Sequence, residues 1–201
     1  RQAIRLKPTL ANTDNFDSVS LLARGDLEQG WMAFEWRNTV GSIGLFTDKV
    51  WNGEDLSGKT ILVWGEQGIG DQIMFSTCLR DIIKQAEYAI IGTDERLVPL
   101  FERSFPKAAV QGVARYTANG ETRVQDFEWL EGHPPVDFFV LQGSLARFFR
   151  PSIESFPSTS DRLLGDPQRL KYWGRKLTEL GPGKKIGICW RSHLVERQSR
   201  Y

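Results

Sequence analysis

Cysteine and histidine are scarce, two of each in 201 residues. Cys78, Cys189, His133 and His193 lie far apart, with none of the spacings of a metal site, so no structural or catalytic metal and no bound cofactor are expected. Cys78 falls on an apolar helical stripe and Cys189 in a strand-like run, which suits two reduced core thiols in a cytoplasmic protein. No apolar run approaches the roughly 20 residues of a membrane helix, and no transmembrane segment is expected. Arg1-Gln2-Ala3-Ile4-Arg5 does not lead into a signal-peptide core. Neither sign of charge is in excess: 26 Lys and Arg against 25 Asp and Glu leave +1. No global field therefore draws the chain to nucleic acid or to an acidic membrane. What is present is a 40% hydrophobic content, enough to bury one substantial core.

The chain is organised around Thr60 to Ala86. Ile61-Leu62-Val63-Trp64 is an uninterrupted apolar run, the pattern of a strand buried on both faces in a parallel sheet. Gly65, Gly68 and Gly70 then make a tight turn. Phe75, Cys78, Leu79, Ile82, Ile83 and Ala86 recur at i, i+3, i+4, i+7, i+8 and i+11, one apolar helical stripe. Strand, turn and helix form the first half of a βαβ unit, whose binding crevice lies at the carboxyl end of the strand. The turn reads G-x-x-G-x-G, unlike the G-x-G-x-x-G of dinucleotide sites, and lacks the Lys-Ser/Thr of a P-loop. Asp71 sits at the start of the helix, where a carboxylate satisfies the positive end and repels a second anion. Asp71 reads either as a helix cap or as an acceptor or base for hydroxyl groups.

Gly65-Glu66-Gln67-Gly68-Ile69-Gly70-Asp71-Gln72-Ile73-Met74-Phe75 resembles the E-Q-G-x-G-D-x-x-x-F signature of bacterial heptosyltransferase-like glycosyltransferases found downstream of tetratricopeptide repeats. The resemblance spans about Gly25 to Ser192. It implies the amino-terminal lobe of a GT-B fold: a Rossmann-like parallel sheet with flanking helices that holds the acceptor, a second lobe holding the nucleotide-sugar. It also implies Asp71 as general base, by the matching Gly-Asp pair. Around it, Glu66, Gln67, Gly68 and Gly70 are candidate acceptor-binding residues, with Gly143 and Ser144 as a second line from the Ser-Leu turn after a later strand. Ala146 stands there in place of the family's usual proline.

Residues 1–37 read as a helical hairpin broken at Arg24-Gly25-Asp26. Its GDLEQGWMAFEWR resembles the terminal tetratricopeptide unit upstream of such transferases. A lone repeat cannot bury its own stripe, so either more repeats precede it or it packs on the globular domain. Residues 38–59 form a connector, with Trp51 expected to anchor it. The acceptor lobe is expected over residues 60–150. It continues with a strand at Tyr88 to Gly92, a helix at about Asp94 to Arg103 that Pro99 makes late or kinked, and a strand at Ala108 to Val113. A hairpin turn follows at Asn119-Gly120, then a strand at Val136 to Leu141. His133 reads as an exposed, neutral loop residue.

Residues 151–201 read as a crossover: a loop, a helix from Asp166-Pro167 to Leu180, then Lys184 to Ser192, which resembles the first strand and turn of the nucleotide-binding lobe. Arg191 and Ser192 are weak candidates for the donor's phosphates, a task guanidinium forks suit. The expected function is the acceptor lobe of an inverting glycosyltransferase, its partners a nucleotide-sugar and a sugar or protein acceptor. The alternative is a non-catalytic interaction module that binds a protein partner through the Trp31 and Trp36 face of the hairpin.

Overall fold

The computed structural model describes residues 13–39, 49–66, 68–113, 115–118, 121–124, 127–157 and 163–188. By internal contacts the chain divides into Arg1–Leu164 and Gly165–Tyr201.

In the first unit, β1 (Thr60–Trp64) is the innermost strand and is buried along its whole length. On one side of it lie β2 (Tyr88–Thr93) and then β3 (Ala109–Gly112); on the other lies β6 (Phe138–Leu141). The sheet order is β3-β2-β1-β6 and every pairing is parallel, with Thr60 opposite Tyr88 and Ile61 opposite Phe138. Alternation along β1 splits the core into two faces. Ile61 and Val63 pack with Phe75, Leu79, Ile82, Phe101 and Leu145, while Leu62 and Trp64 pack with Ile90, Val113, Val136 and Phe139. Both faces are covered, which explains why the strand is apolar without interruption.

Helices α3 (Ile69–Phe75), α4 (Leu79–Gln85) and α5 (Val98–Ser104) join the first three strands and contribute to the first face. The return from β3 to β6 brings Phe127, Trp129 and Leu130 onto the second, after the antiparallel pair β4 (Arg115–Ala118) and β5 (Glu121–Val124). The chain thus leaves β1 in one direction and comes back beside it on the other, so the strand order reverses between β1 and β6. The outer edge of β6 is covered by the connector: Trp51 N–H donates to Phe139 O at 2.8 Å, and Phe139 N–H to Lys49 O at 2.7 Å. Trp51 anchors that segment as expected, 3% exposed, its ring 4.4 Å from that of Phe148.

Two expected helices have altered bounds, for local reasons. The stripe from Phe75 to Ala86 is interrupted by a tighter 3₁₀ turn at Ser76–Cys78. There the Ser76 hydroxyl donates to Ile73 O at 2.6 Å and buried Arg150 takes Thr77 O at 2.5 Å, competing with helical bonding. The helix after β2 begins late, as Pro99 requires: a 3₁₀ turn at Glu95–Leu97 capped by Asp94 precedes α5.

The amino-terminal hairpin comprises α1 (Thr13–Ala23) and α2 (Leu27–Phe34), turning at Gly25 with φ +83°. A Cβ at Gly30 would stand 2.6 Å from Leu22 Cδ2, so the absence of a side chain lets the two helices close. The hairpin packs on the α/β layer through Trp31 and Phe34. Residues up to Leu164 also stay with this unit: Leu163 packs on its core and Leu164 N–H donates to Ser104 Oγ at 2.9 Å. The last helix of the layer, α6 (Leu145–Phe149), follows β6.

The second unit contains α7 (Pro167–Glu179), started by Asp166, whose carboxylate accepts from Arg169 N–H at 2.8 Å, and stopped at Gly181 with φ +84°. Leu170, Trp173, Leu177 and Leu180 are exposed. The strand expected from Lys184 is not formed over residues 184–188, which are irregular; Cys189 onward lies outside the described residues.

Candidate functional site

In a sheet of this topology ligands bind outside the carboxyl ends of the strands at the point of reversal. Here that point is flanked by the turn after β1, residues 65–71, and the turn after β6, residues 142–144. The two turns carry most of the residues singled out from the sequence. Gln67, Arg191 and Ser192 lie outside the described residues.

Asp71 occupies the first turn of α3 and is exposed. Its Oδ2 lies back over Gly68, so close that a Cβ there would be 2.6 Å away. Gly68 has φ −92°, open to any residue; it is the carboxylate that needs the glycine. No side-chain cap bond closes this helix start, and no hydrogen bond or ion pair engages the Asp71 carboxylate among the described residues. The residue therefore faces solvent as a charged acceptor beside the positive end of α3. Gly70 has open space where a side chain would be.

Glu66, a candidate acceptor-binding residue, is held by partners within the protein. Its side chain is 12% exposed and its oxygens are engaged. Oε1 accepts from Arg37 Nη2 at 2.8 Å and from Gly143 N–H at 2.8 Å, and Oε2 from Arg37 Nε at 3.4 Å. Arg37, from the 3₁₀ turn Glu35–Thr39 that ends the hairpin, also donates to Ser144 Oγ at 3.2 Å, Phe34 O at 3.1 Å and Glu35 Oε1 at 3.1 Å. Its guanidinium lies 4.0 Å from the centre of the Phe34 ring. Gly143 is required by this approach: a Cβ would fall 2.5 Å from Glu66 Oε1 and 2.8 Å from Arg37 Nη2. Ser144 is buried, reached by Arg37 rather than open to a ligand.

Beneath these lies a pair of buried amides. Gln72 is 1% exposed and holds three groups around this reversal, the topological switch of the sheet: Nε2 donates to Glu66 O at 2.5 Å, and Oε1 accepts from Thr93 Oγ1 at 2.7 Å and Asp94 N–H at 3.0 Å. A Cβ at Gly65 would sit 2.8 Å from the Gln72 amide, so Gly65 makes room for it. Gln142, fully buried, donates from Nε2 to Gln72 O at 2.8 Å, while its Oε1 finds no partner among the described residues. The ends of β1, β2 and β6 are thus tied together by side-chain amides, with each dipole in low dielectric.

Sequence reasoning missed Arg37, Gln72 and Gln142. Gln72 had a legible signal, since it lies three residues before Phe75 and seven before Leu79, on the buried stripe. Arg37 and Gln142 had none. His133 is half-buried rather than exposed, with Nδ1 3.1 Å from Tyr88 Oη; Tyr88 opens β2, at the end of the sheet away from the switch. Burial pushes the Cys78 thiol up to about 11, so it is inert in the core. No group of ligands for a metal is found among the described residues, and no helix among them is long and apolar enough to cross a membrane.

The fold is that of an α/β protein with a four-stranded parallel sheet and flanking helices, with the exposed Asp71 carboxylate beyond the end of β1. The chain is similar to Protein FlbA of Caulobacter vibrioides, 35% identical over 180 residues that cover 86% of this chain. It spans only 30% of that relative's length. No family model matches the chain, and no solved structure does.

Proposed function

We propose that this chain is the acceptor-side lobe of an inverting glycosyltransferase, moving a sugar from a nucleotide-sugar to a hydroxyl. The observation that carries the reading is the Asp71 carboxylate, exposed and without a partner among the described residues, at the end of β1 where the strand order reverses. An acceptor hydroxyl is too weakly acidic to attack an anomeric carbon efficiently. Asp71 takes the hydroxyl proton as the new carbon–oxygen bond forms and the bond to the nucleotide phosphate breaks; the electron pair leaves with the phosphate. The open space at Gly70 allows an acceptor close to the backbone. Glu66 holds the turn rather than the acceptor, because Arg37 and Gly143 already engage it. Neutralising the leaving phosphate falls to groups outside the described residues, Arg191 and Ser192 among the candidates.

The reading is tested by incubating the longest natural polypeptide carrying this chain with a panel of nucleotide-sugars and an acceptor extract from its host. Release of nucleoside phosphate is followed. Acceptor-dependent release from one sugar donor is expected; no release from any donor overturns the reading.

A non-catalytic interaction module is the alternative. Its support is that Val19 and Met32 of the hairpin are 57% and 63% exposed. Trp31 no longer contributes to such a surface, since its ring packs on Phe75 and its Nε1 donates to Arg150 O at 2.8 Å.

A further inference from the structure

We propose that the amino-terminal hairpin is the positioning element of the crevice, with Arg37 as the residue that transmits its placement, rather than a detachable repeat. The inference deepens the acceptor-site reading and rests on it for its catalytic consequence.

Helix α3, which carries Asp71, has seven residues. A helix that short has no stability of its own, so its position is decided by what it packs against. The hairpin grips it from both ends. At the carboxyl end, the Phe75 ring is 5.9 Å from that of Trp31 and 5.8 Å from that of Phe34, and Trp31 is fixed in turn by its bond to Arg150 O. At the amino end, the Arg37 fork holds Glu66, one carboxylate that also takes the Gly143 N–H. The guanidinium spans the turns after β1 and β6 as well as the hairpin, bonding Glu66, Ser144 and Glu35. A lysine at this position has the charge but not the fork, and cannot reach all three. The W-x-x-x-E-W-R end of the hairpin thereby gains a physical reason: Trp31 sets one end of α3, and Glu35 with Arg37 sets the other.

The test is residue-resolved amide hydrogen exchange on the 201-residue chain, comparing wild type with Arg37→Lys and with Glu66→Gln. The bonded amides of α3, residues 72–75, and that of Gly143 are expected to exchange roughly tenfold faster in Arg37→Lys, the size of one charge-assisted hydrogen bond, with those of β1 and β2 unchanged. Glu66→Gln, which keeps an acceptor oxygen but loses the charge, is expected to loosen the same amides less. Unchanged exchange at those amides overturns the proposal, and so does uniform acceleration across the sheet, which would make Arg37 a general stability residue. Should Arg37→Lys not fold, Glu66→Gln decides by the same pattern. In the sugar-transfer assay, Arg37→Lys is expected to lower kcat with KM for the nucleotide-sugar unchanged. Exchange needs no substrate, so a failure of the glycosyltransferase reading leaves the positioning result standing, and the two failures are told apart.

Discussion

Gly143→Ala tests the clamp at the reversal of the sheet without replacing either charged partner. The added Cβ would lie 2.5 Å from Glu66 Oε1 and 2.8 Å from Arg37 Nη2, inside any tolerable contact. Both intruded atoms are the ends of flexible side chains, so the steric cost itself is small: they move aside. What is lost is the bonding that their position made, above all the Gly143 N–H to Glu66 bond of 2.8 Å and the Arg37 pair. A hydrogen bond to a charged group contributes ~1.5–3 kcal/mol. With part of the ion pair re-formed elsewhere, we expect a loss of about 2 kcal/mol, which for a domain of this size lowers Tm by roughly 4–8 °C. The control is Gly70→Ala, where no atom lies within 4 Å of the new Cβ. In a helix that change is expected to stabilise by about 0.5–1 kcal/mol. Urea unfolding followed by tryptophan fluorescence measures both. If Gly143→Ala stays within roughly 0.5 kcal/mol of wild type, the range of an inconsequential surface change, the clamp contributes nothing and the reasoning is refuted.

Cys78, with its thiol pushed up to about 11 by burial, is expected to resist maleimide at neutral pH until the chain is unfolded. Peptide mass mapping reads it separately from Cys189, and native-state labelling at Cys78 would contradict the burial. The Asp137 carboxyl is held below its ordinary value chiefly by the Thr60 N–H, bonded at 2.9 Å, with Lys59 adding to it. A group depressed in the folded state stabilises above its unfolded value and loses that contribution as pH falls through the folded one. Wild type should therefore lose stability as pH falls below about 4, near the ordinary aspartate value. Asp137→Asn should show a shallower slope in that range; an equal slope in acid denaturation curves would count against the assignment.

The centre of the sheet was legible because β1 is buried on both faces and so reads as an unbroken apolar run, with β2 buried along most of its length beside it. The caps and stops were legible because Asp94, Asp166, Pro99 and Gly181 act within a few residues of where they stand. The interruption at Ser76–Cys78 was not, because Arg150, over seventy positions later, competes for Thr77 O. The site divides in the same way. Asp71 could be located from the order strand, glycine turn, helix. Glu66 was located but its use was not, since an acid in a glycine-rich turn looks alike whether it meets a ligand or an arginine from the hairpin. Local signals name the acid; only packing names its partner. The packing of Trp31 and Phe34 on Phe75 likewise shows the hairpin seated on the globular layer, which the sequence left open.

The central claim is that one exposed carboxylate at the reversal of the sheet accepts the proton of the incoming hydroxyl. Measuring sugar transfer and Tm side by side for Asp71→Asn in the complete polypeptide addresses it most directly. The account predicts a fall in kcat of about 10²–10⁴-fold, the contribution of a positioned base, with Tm lowered by no more than about 4 °C, the share of one charge at a helix end. Transfer at the wild-type rate by a folded Asp71→Asn protein would contradict it.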